Sequence, residues 1–106
     1  MTKIQQRCNE IKQHYNDINA LEDIYTKLTY DIAIETDNIV KAFSNSRNKK
    51  LELNSQELKS VAEFNRAYEM SEEYIIERSI RYTIEAINHL KSGVYTRVMS
   101  LKNTNY

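Results

Sequence analysis

Two glutamate–histidine pairs are the side chains in this sequence whose types and spacing could bind a metal ion. In each pair the histidine follows the glutamate by four residues, so both side chains share one face of a helix. The pairs are Glu10 with His14 and Glu85 with His89. Their spacing is one residue longer than the Glu-x-x-His motif of di-iron bundles. The sequence therefore favours helix-stabilising pairs and no cofactor, with a metal-binding helical bundle as a distant alternative.

A second group of side chains carries positive charge that could contact phosphate, namely Arg47, Lys49, Lys50, Arg97 and Lys102. The first three lie in a polar segment expected to form a loop, and the other two lie in a C-terminal segment without acidic residues. The whole chain, however, has 15 basic and 15 acidic residues. It lacks the basic excess that is typical of nucleic-acid-binding proteins. A nucleic-acid-associated regulator that uses this basic loop and tail is therefore an alternative function.

Catalytic motifs are not evident in the sequence. The single cysteine, Cys8, lies on an apolar stripe without a placed activating partner, and the single glycine, Gly93, cannot form a phosphate-binding glycine loop. We therefore expect a protein that is not an enzyme. The polar N-terminus does not resemble a signal peptide, and no stretch approaches the roughly 18 apolar residues of a membrane span. The expected location is the cytoplasm.

Long helices are predicted to position these side chains, because the chain has no proline and one glycine. An apolar residue recurs every seven positions in the first half, a rhythm that keeps one helix face toward a partner helix. These residues are Ile4, Ile11, Ile18, Tyr25, Ile32 and Ile39. We predict a first helical arm over about residues 3–44, followed by a loop over about 45–53. A capping pattern of Asn19 with Glu22, or a cap at Asp17, would instead break this arm.

A second arm is predicted over about residues 54–101. Asn54 and Glu57 form a capping-box pattern at its start, and two apolar stripes follow. The stripes are Val61, Tyr68, Ile75 and Tyr82, and Ile80, Ile87, Val94 and Leu101. Gly93 either ends the helix or is tolerated within it at a cost of about 1 kcal/mol. Residues 102–106 are expected to fray.

The predicted fold is a single all-α domain over residues 1–106, a long antiparallel helical hairpin that two chains could complete as a four-helix bundle. The alternative is a compact three- or four-helix bundle with a break near Asn19. Either way, one seam between two helices cannot cover all of the apolar side chains. The predicted partner-binding residues are Tyr30, Ile34, Tyr74, Ile76 and Tyr95, and Val40 also lies off the stripes.

The favoured function is a non-enzymatic helical protein–protein interaction module: a small adaptor, regulator or inhibitor. Its expected partner is another protein, with a homodimer also expected and no membrane association. The abundance of isoleucine, asparagine, lysine and tyrosine suggests an AT-rich genome, such as that of a phage or mobile element. An inhibitor of a host enzyme is one form that this function could take.

Overall fold

The computed structural model describes residues 2–56 and 60–104, and these ranges contain four α-helices and no β-strand. The helices are α1 (Lys3–Gln13), α2 (Ile18–Asn54), α3 (Val61–Glu69) and α4 (Glu72–Asn103). The long helices α2 and α4 pair, so the predicted all-α fold built on a helical hairpin is confirmed. None of the described helices is both long enough and apolar enough to cross a membrane.

The chain divides into two compact units. Unit 1 comprises Met1–Ile34 and Thr83–Tyr106, and unit 2 comprises Glu35–Tyr82. Helices α2 and α4 each contribute residues to both units. Among the described residues, unit 1 has the larger number of buried apolar side chains.

The core of unit 1 is apolar and lies on or beside the predicted stripes. It consists of Leu21, Ile24 and Leu28 from α2 and Ile87, Val94 and Val98 from α4, all buried. Partly buried side chains, including Ile4 and Ile11 of α1, pack against this cluster. Spacings of three, four and seven residues bring these side chains to one face of each helix. The seven-residue rhythm of the first arm thus identified half-buried side chains that pack against this core, whereas the second-arm stripe identified the buried Ile87 and Val94.

An ion pair joins α1 to α2 inside unit 1. Asp31 is 2% exposed, and its two carboxylate oxygens accept hydrogen bonds from Arg7 Nε at 2.8 Å and Arg7 Nη2 at 3.2 Å. Lys3 Nζ lies 3.6 Å from the same carboxylate. Burial alone would raise the pKa of Asp31, but Arg7 and Lys3 outweigh burial and hold it below its ordinary value. The same hydrogen bonds raise the pKa of Arg7.

The first arm is broken, so the prediction of one helix over residues 3–44 is wrong and its alternative, a break near Asn19, is right. Helix α1 ends at Gln13, and Asp17 begins the next helix by accepting the Ala20 N–H on Oδ1 at 3.1 Å. Arg97 donates from Nε to the Tyr15 carbonyl at 2.9 Å. The apolar rhythm runs through this break because the helices on both sides pack against the same core.

The predicted loop over residues 45–53 is also wrong, because α2 continues through it to Asn54. The segment contains no proline or glycine, and within unit 2 Ser46 and Leu53 are buried on one face. Tertiary packing therefore outweighs the weak helix preference of its polar residues. The predicted cap Asn54 ends α2 instead of starting a helix, and Glu57 lies outside the described residues.

Helix α3 starts at Val61, about two turns after the start predicted at Asn54, and the Ser60 Oγ accepts the Glu63 N–H at 3.1 Å. The second arm is then interrupted at residues 70 and 71, and the Ser71 Oγ accepts the Tyr74 N–H at 3.3 Å at the start of α4. Continuity over about 54–101 is therefore wrong, since serine hydroxyls cap two separate helices.

Helix α4 runs through Gly93, which has a negative φ and open space around it. Residues 102 and 103 were expected to fray, but they are helical.

Candidate functional site: an apolar surface and a polar cavity in unit 2

Unit 2 has a small apolar core and a large exposed apolar surface. Among its described residues, the buried hydrophobic side chains are Ala42 and Leu53 alone. Eight large hydrophobic side chains of the same unit are exposed, and together they are called the unit 2 surface: Val40, Phe43, Leu51, Val61, Met70, Ile75, Ile76 and Tyr82. The described part of unit 2 therefore has more large apolar side chains in the exposed class than apolar side chains in the buried class.

The α2 part of this surface is an ordered stripe. Val40, Phe43 and Leu51 are 65%, 53% and 60% exposed, and their spacings of three and eight residues place them on one helix face. The opposite face of the same segment carries the buried Ala42 and Leu53. This part of helix α2 therefore has apolar side chains on two opposite faces. One face is buried within unit 2, and the other is exposed to solvent.

Three of the five other residues of the surface, in α3 and α4, come from the stripe predicted at seven-residue spacing. Val61, Ile75 and Tyr82 are all more than half exposed, whereas Tyr68 is half-buried. The side chain of Tyr82 is held by Arg78, whose Nε donates to the Tyr82 hydroxyl at 2.9 Å. These residues do not form one buried stripe, because the break at residues 70 and 71 divides the predicted stripe between two helices.

A polar cavity of about 230 Å³ also lies within unit 2, and it is called the unit 2 cavity. Its lining combines four aromatic or hydroxyl side chains with three cations and one carboxylate: Phe43, Ser46, Arg47, Lys50, Tyr68, Tyr74, Glu77 and Arg81. The residues come from α2, α3 and α4. Phe43 belongs to both the cavity and the exposed stripe.

A hydrogen-bonded chain forms the buried part of this cavity. The hydroxyls of Ser46 and Tyr68 share a short hydrogen bond, and the Tyr68 hydroxyl donates to Glu77 Oε2 at 3.4 Å. Arg81 Nη2 donates to Glu77 Oε1 at 2.8 Å. Ser46 and Glu77 are 2% and 4% exposed. Both oxygens of the buried carboxylate therefore have a donor.

The five predicted partner-binding residues are divided between the units. Tyr30, Ile34 and Tyr95 are exposed in unit 1, while Ile76 is exposed in unit 2. Tyr74 is half-buried, and its ring centroid lies 4.9 Å from that of Tyr68. Four of the five thus present apolar area to solvent in the isolated chain, and the fifth lines the unit 2 cavity.

The five predicted phosphate-contacting residues have different surroundings. Lys49 pairs with Glu52 at 3.4 Å, and Lys102 pairs with Glu22 at 3.1 Å. Arg97, besides its bond to Tyr15, stacks over that tyrosine ring at 4.2 Å from the centroid. Arg47 and Lys50 line the unit 2 cavity, and neither forms an ion pair with any described residue.

The two glutamate–histidine pairs do not assemble. Glu10 pairs with Arg7 at 3.0 Å and with Lys27 at 3.5 Å, while His14 caps the C-terminus of α1. Over residues 2–56 and 60–104, no group of three or more histidine, cysteine, aspartate and glutamate side chains is arranged to hold a metal ion.

No protein-family model, curated protein or solved structure matches this chain.

Proposed function

We propose that this protein is a non-enzymatic helical interaction module whose unit 2 docks exposed apolar helix faces onto another protein. The observation that carries the proposal is the contrast among the described residues of unit 2, where two hydrophobic side chains are buried and eight large ones are exposed. Three of the exposed side chains lie on one face of α2, and apolar side chains gathered on one exposed face are typical of interaction sites.

The free energy available from covering this surface is substantial. Fully burying a large apolar side chain gains about 1.5–3 kcal/mol, so the exposed portions of Val40, Phe43 and Leu51 offer on the order of 1–2 kcal/mol each. Helical faces of this type are recognised by partner helices through residues spaced three and four apart. A small regulator, adaptor or inhibitor in the cytoplasm, encoded by a phage or mobile element, fits this mode of action.

A second copy of the chain is the partner that we expect in the purified protein. Two amphipathic helical hairpins bury their spare faces when they pair as a four-helix bundle. The stripe on α2 extends over three helical turns from Val40 to Leu51, which is long enough to supply repeated contacts along such a seam.

Light scattering behind a sizing column, over a range of concentrations, tests this expectation. We expect an average mass above that of one chain for the wild type, falling to the single-chain mass in a Val40→Lys, Leu51→Lys variant. The matched control is Asn38→Lys with Asn45→Lys, which adds the same charge to exposed positions of α2 off the stripe. A single-chain mass for the wild type at every concentration would contradict self-association.

A further inference from the structure

The unit 2 cavity contains buried polar side chains that are not needed to pack the helices together. A buried carboxylate with its hydrogen-bond partners is seldom more stabilising than apolar side chains of similar volume. Yet three of the buried residues described in unit 2, Ser46, Ser71 and Glu77, are polar, and two of them belong to this cavity. A polar floor of this kind is typical of a binding site, in which a few placed polar groups lie beneath an apolar wall.

The cavity carries a net positive charge. Arg47, Lys50 and Arg81 contribute three positive charges and Glu77 one negative charge, which leaves +2. Arg81 neutralises Glu77 through their 2.8 Å contact, so the excess resides on Arg47 and Lys50. The Lys50 ammonium lies 4.6 Å from the centroid of the Tyr68 ring. An aromatic face holds the ammonium in position without cancelling its charge.

An apolar wall accompanies these cations. Phe43 is 53% exposed at the cavity, and the ring of Tyr74 packs at 4.9 Å against Tyr68. Aromatic faces bind a second ring in stacked or edge-to-face arrangements. The cavity therefore offers cationic donors for an anion together with aromatic area for a ring.

We propose that the unit 2 cavity binds a phosphate monoester that carries an aromatic ring. A phosphate monoester has a charge of about −1.5 to −2 near neutral pH, which matches the excess on Arg47 and Lys50. Arginine and lysine donate charge-assisted hydrogen bonds to its oxygens. The volume of about 230 Å³ is below the roughly 300–1,000 Å³ of drug-sized sites. The cavity thus has room for a phosphate and part of the group attached to it, and Phe43 is placed to contact the ring of that group.

Titration of the full-length protein, followed by amide chemical shifts in NMR spectra, tests the proposal. The probes are phosphotyrosine, adenosine monophosphate, inorganic phosphate and tyrosine. We expect saturable shifts of Arg47, Lys50 and Tyr68 amides with the two aromatic phosphates, weaker binding of inorganic phosphate and none of tyrosine. Tighter binding of phosphotyrosine would indicate a phosphorylated peptide as the source, and tighter binding of adenosine monophosphate would indicate a nucleotide.

Variants separate this site from general surface charge. Arg47→Gln and Lys50→Gln should each weaken binding of the preferred probe by about tenfold or more. The control Lys49→Gln removes the same charge from the neighbouring position, which pairs with Glu52, and should change affinity by less than about twofold. Phe43→Leu should weaken the aromatic phosphate and leave inorganic phosphate unchanged. All four positions are outside the buried core, so the fold is retained.

Three results would overturn the proposal. The first is the absence of saturable shifts in cavity residues with every phosphate probe at millimolar concentration. The second is an equal loss of affinity in Lys49→Gln and Arg47→Gln, which would indicate non-specific attraction to a basic helix face. The third is binding of tyrosine as tight as that of phosphotyrosine. Because Phe43 also belongs to the exposed stripe of α2, the titration is repeated in the Val40→Lys, Leu51→Lys variant. Absence of shifts in that variant as well overturns this proposal whether or not unit 2 docks onto another protein.

Discussion

Replacing Arg7 with methionine should release α1 from unit 1. Helix α1 has 11 residues and no fully buried side chain. An isolated helix shorter than about 12–15 residues is marginal in water. Its attachment therefore depends on partly buried Ile4 and Ile11 and on the ion pair of Arg7 with Asp31. Methionine preserves most of the length of the arginine stem but leaves Asp31 buried with a weaker partner.

The expected magnitude follows from the burial of the pair. Breaking a buried ion pair by removing one partner costs about 3–5 kcal/mol. Lys3 remains 3.6 Å from Asp31, so we place the cost near 3 kcal/mol. The cost has an upper bound, because a carboxylate that is too unfavourable when charged takes up a proton instead. At pH 7, about three units above the pKa of an ordinary aspartate, protonating Asp31 costs about 4 kcal/mol.

Amide hydrogen exchange measures this cost within α1. A loss of about 3 kcal/mol corresponds to a roughly hundredfold fall in the protection of α1 amides. The control Lys12→Met removes an exposed positive charge from the same helix and should cost under about 0.5 kcal/mol. Arg7→Met combined with Asp31→Leu should restore most of the protection, because no buried charge remains. A loss below about 1 kcal/mol in Arg7→Met would refute the reasoning.

Three further changes have expected outcomes of their own. Because the folded-state pKa of Asp31 is depressed, its contribution to stability is complete above the unfolded value of about 3.9 and disappears as pH falls through the folded value; in urea titrations, Asp31→Asn should remove this acid dependence. Asp17→Ala deletes the cap of α2 and should cost about 1 kcal/mol in the free energy of unfolding. Gly93→Ala should raise that free energy by about 0.5–1 kcal/mol, since the added Cβ meets nothing within 4 Å; a decrease in thermal stability would contradict the helical environment described for Gly93.

Much of unit 1 was predictable because its packing is regular. The residues Leu21, Leu28, Ile87 and Val94 recur at sevens within α2 and α4, and each is buried. Periodicity reports the buried face of a helix directly. Periodicity does not locate a break between two helices that pack against the same core. The turn at residues 14–17 was therefore indicated in the sequence only by possible helix caps, of which Asp17 is the one that forms.

Unit 2 was predicted poorly because the composition of its local segments is typical of structures that they do not form. The polar run around Ser46 and Lys49 has the composition of a loop, yet it is helical because Ser46 and Leu53 pack inside the unit. The hydrogen bonds between Ser46 and Tyr68 and between Tyr68 and Glu77 join side chains of three different helices. No spacing rule within one helix indicates such a chain, so the cavity could be found only from the fold.

The proposed contact of the exposed α2 stripe with another protein can be tested by site-specific photo-cross-linking. A photoreactive amino acid at Leu51 should give a discrete cross-linked product of defined mass, either with a second copy in the purified protein or with one partner in the cells that make it. The same group at Asn45, exposed on α2 but off the stripe, should give none. No product at Leu51, or equal products at both positions, would contradict the claim.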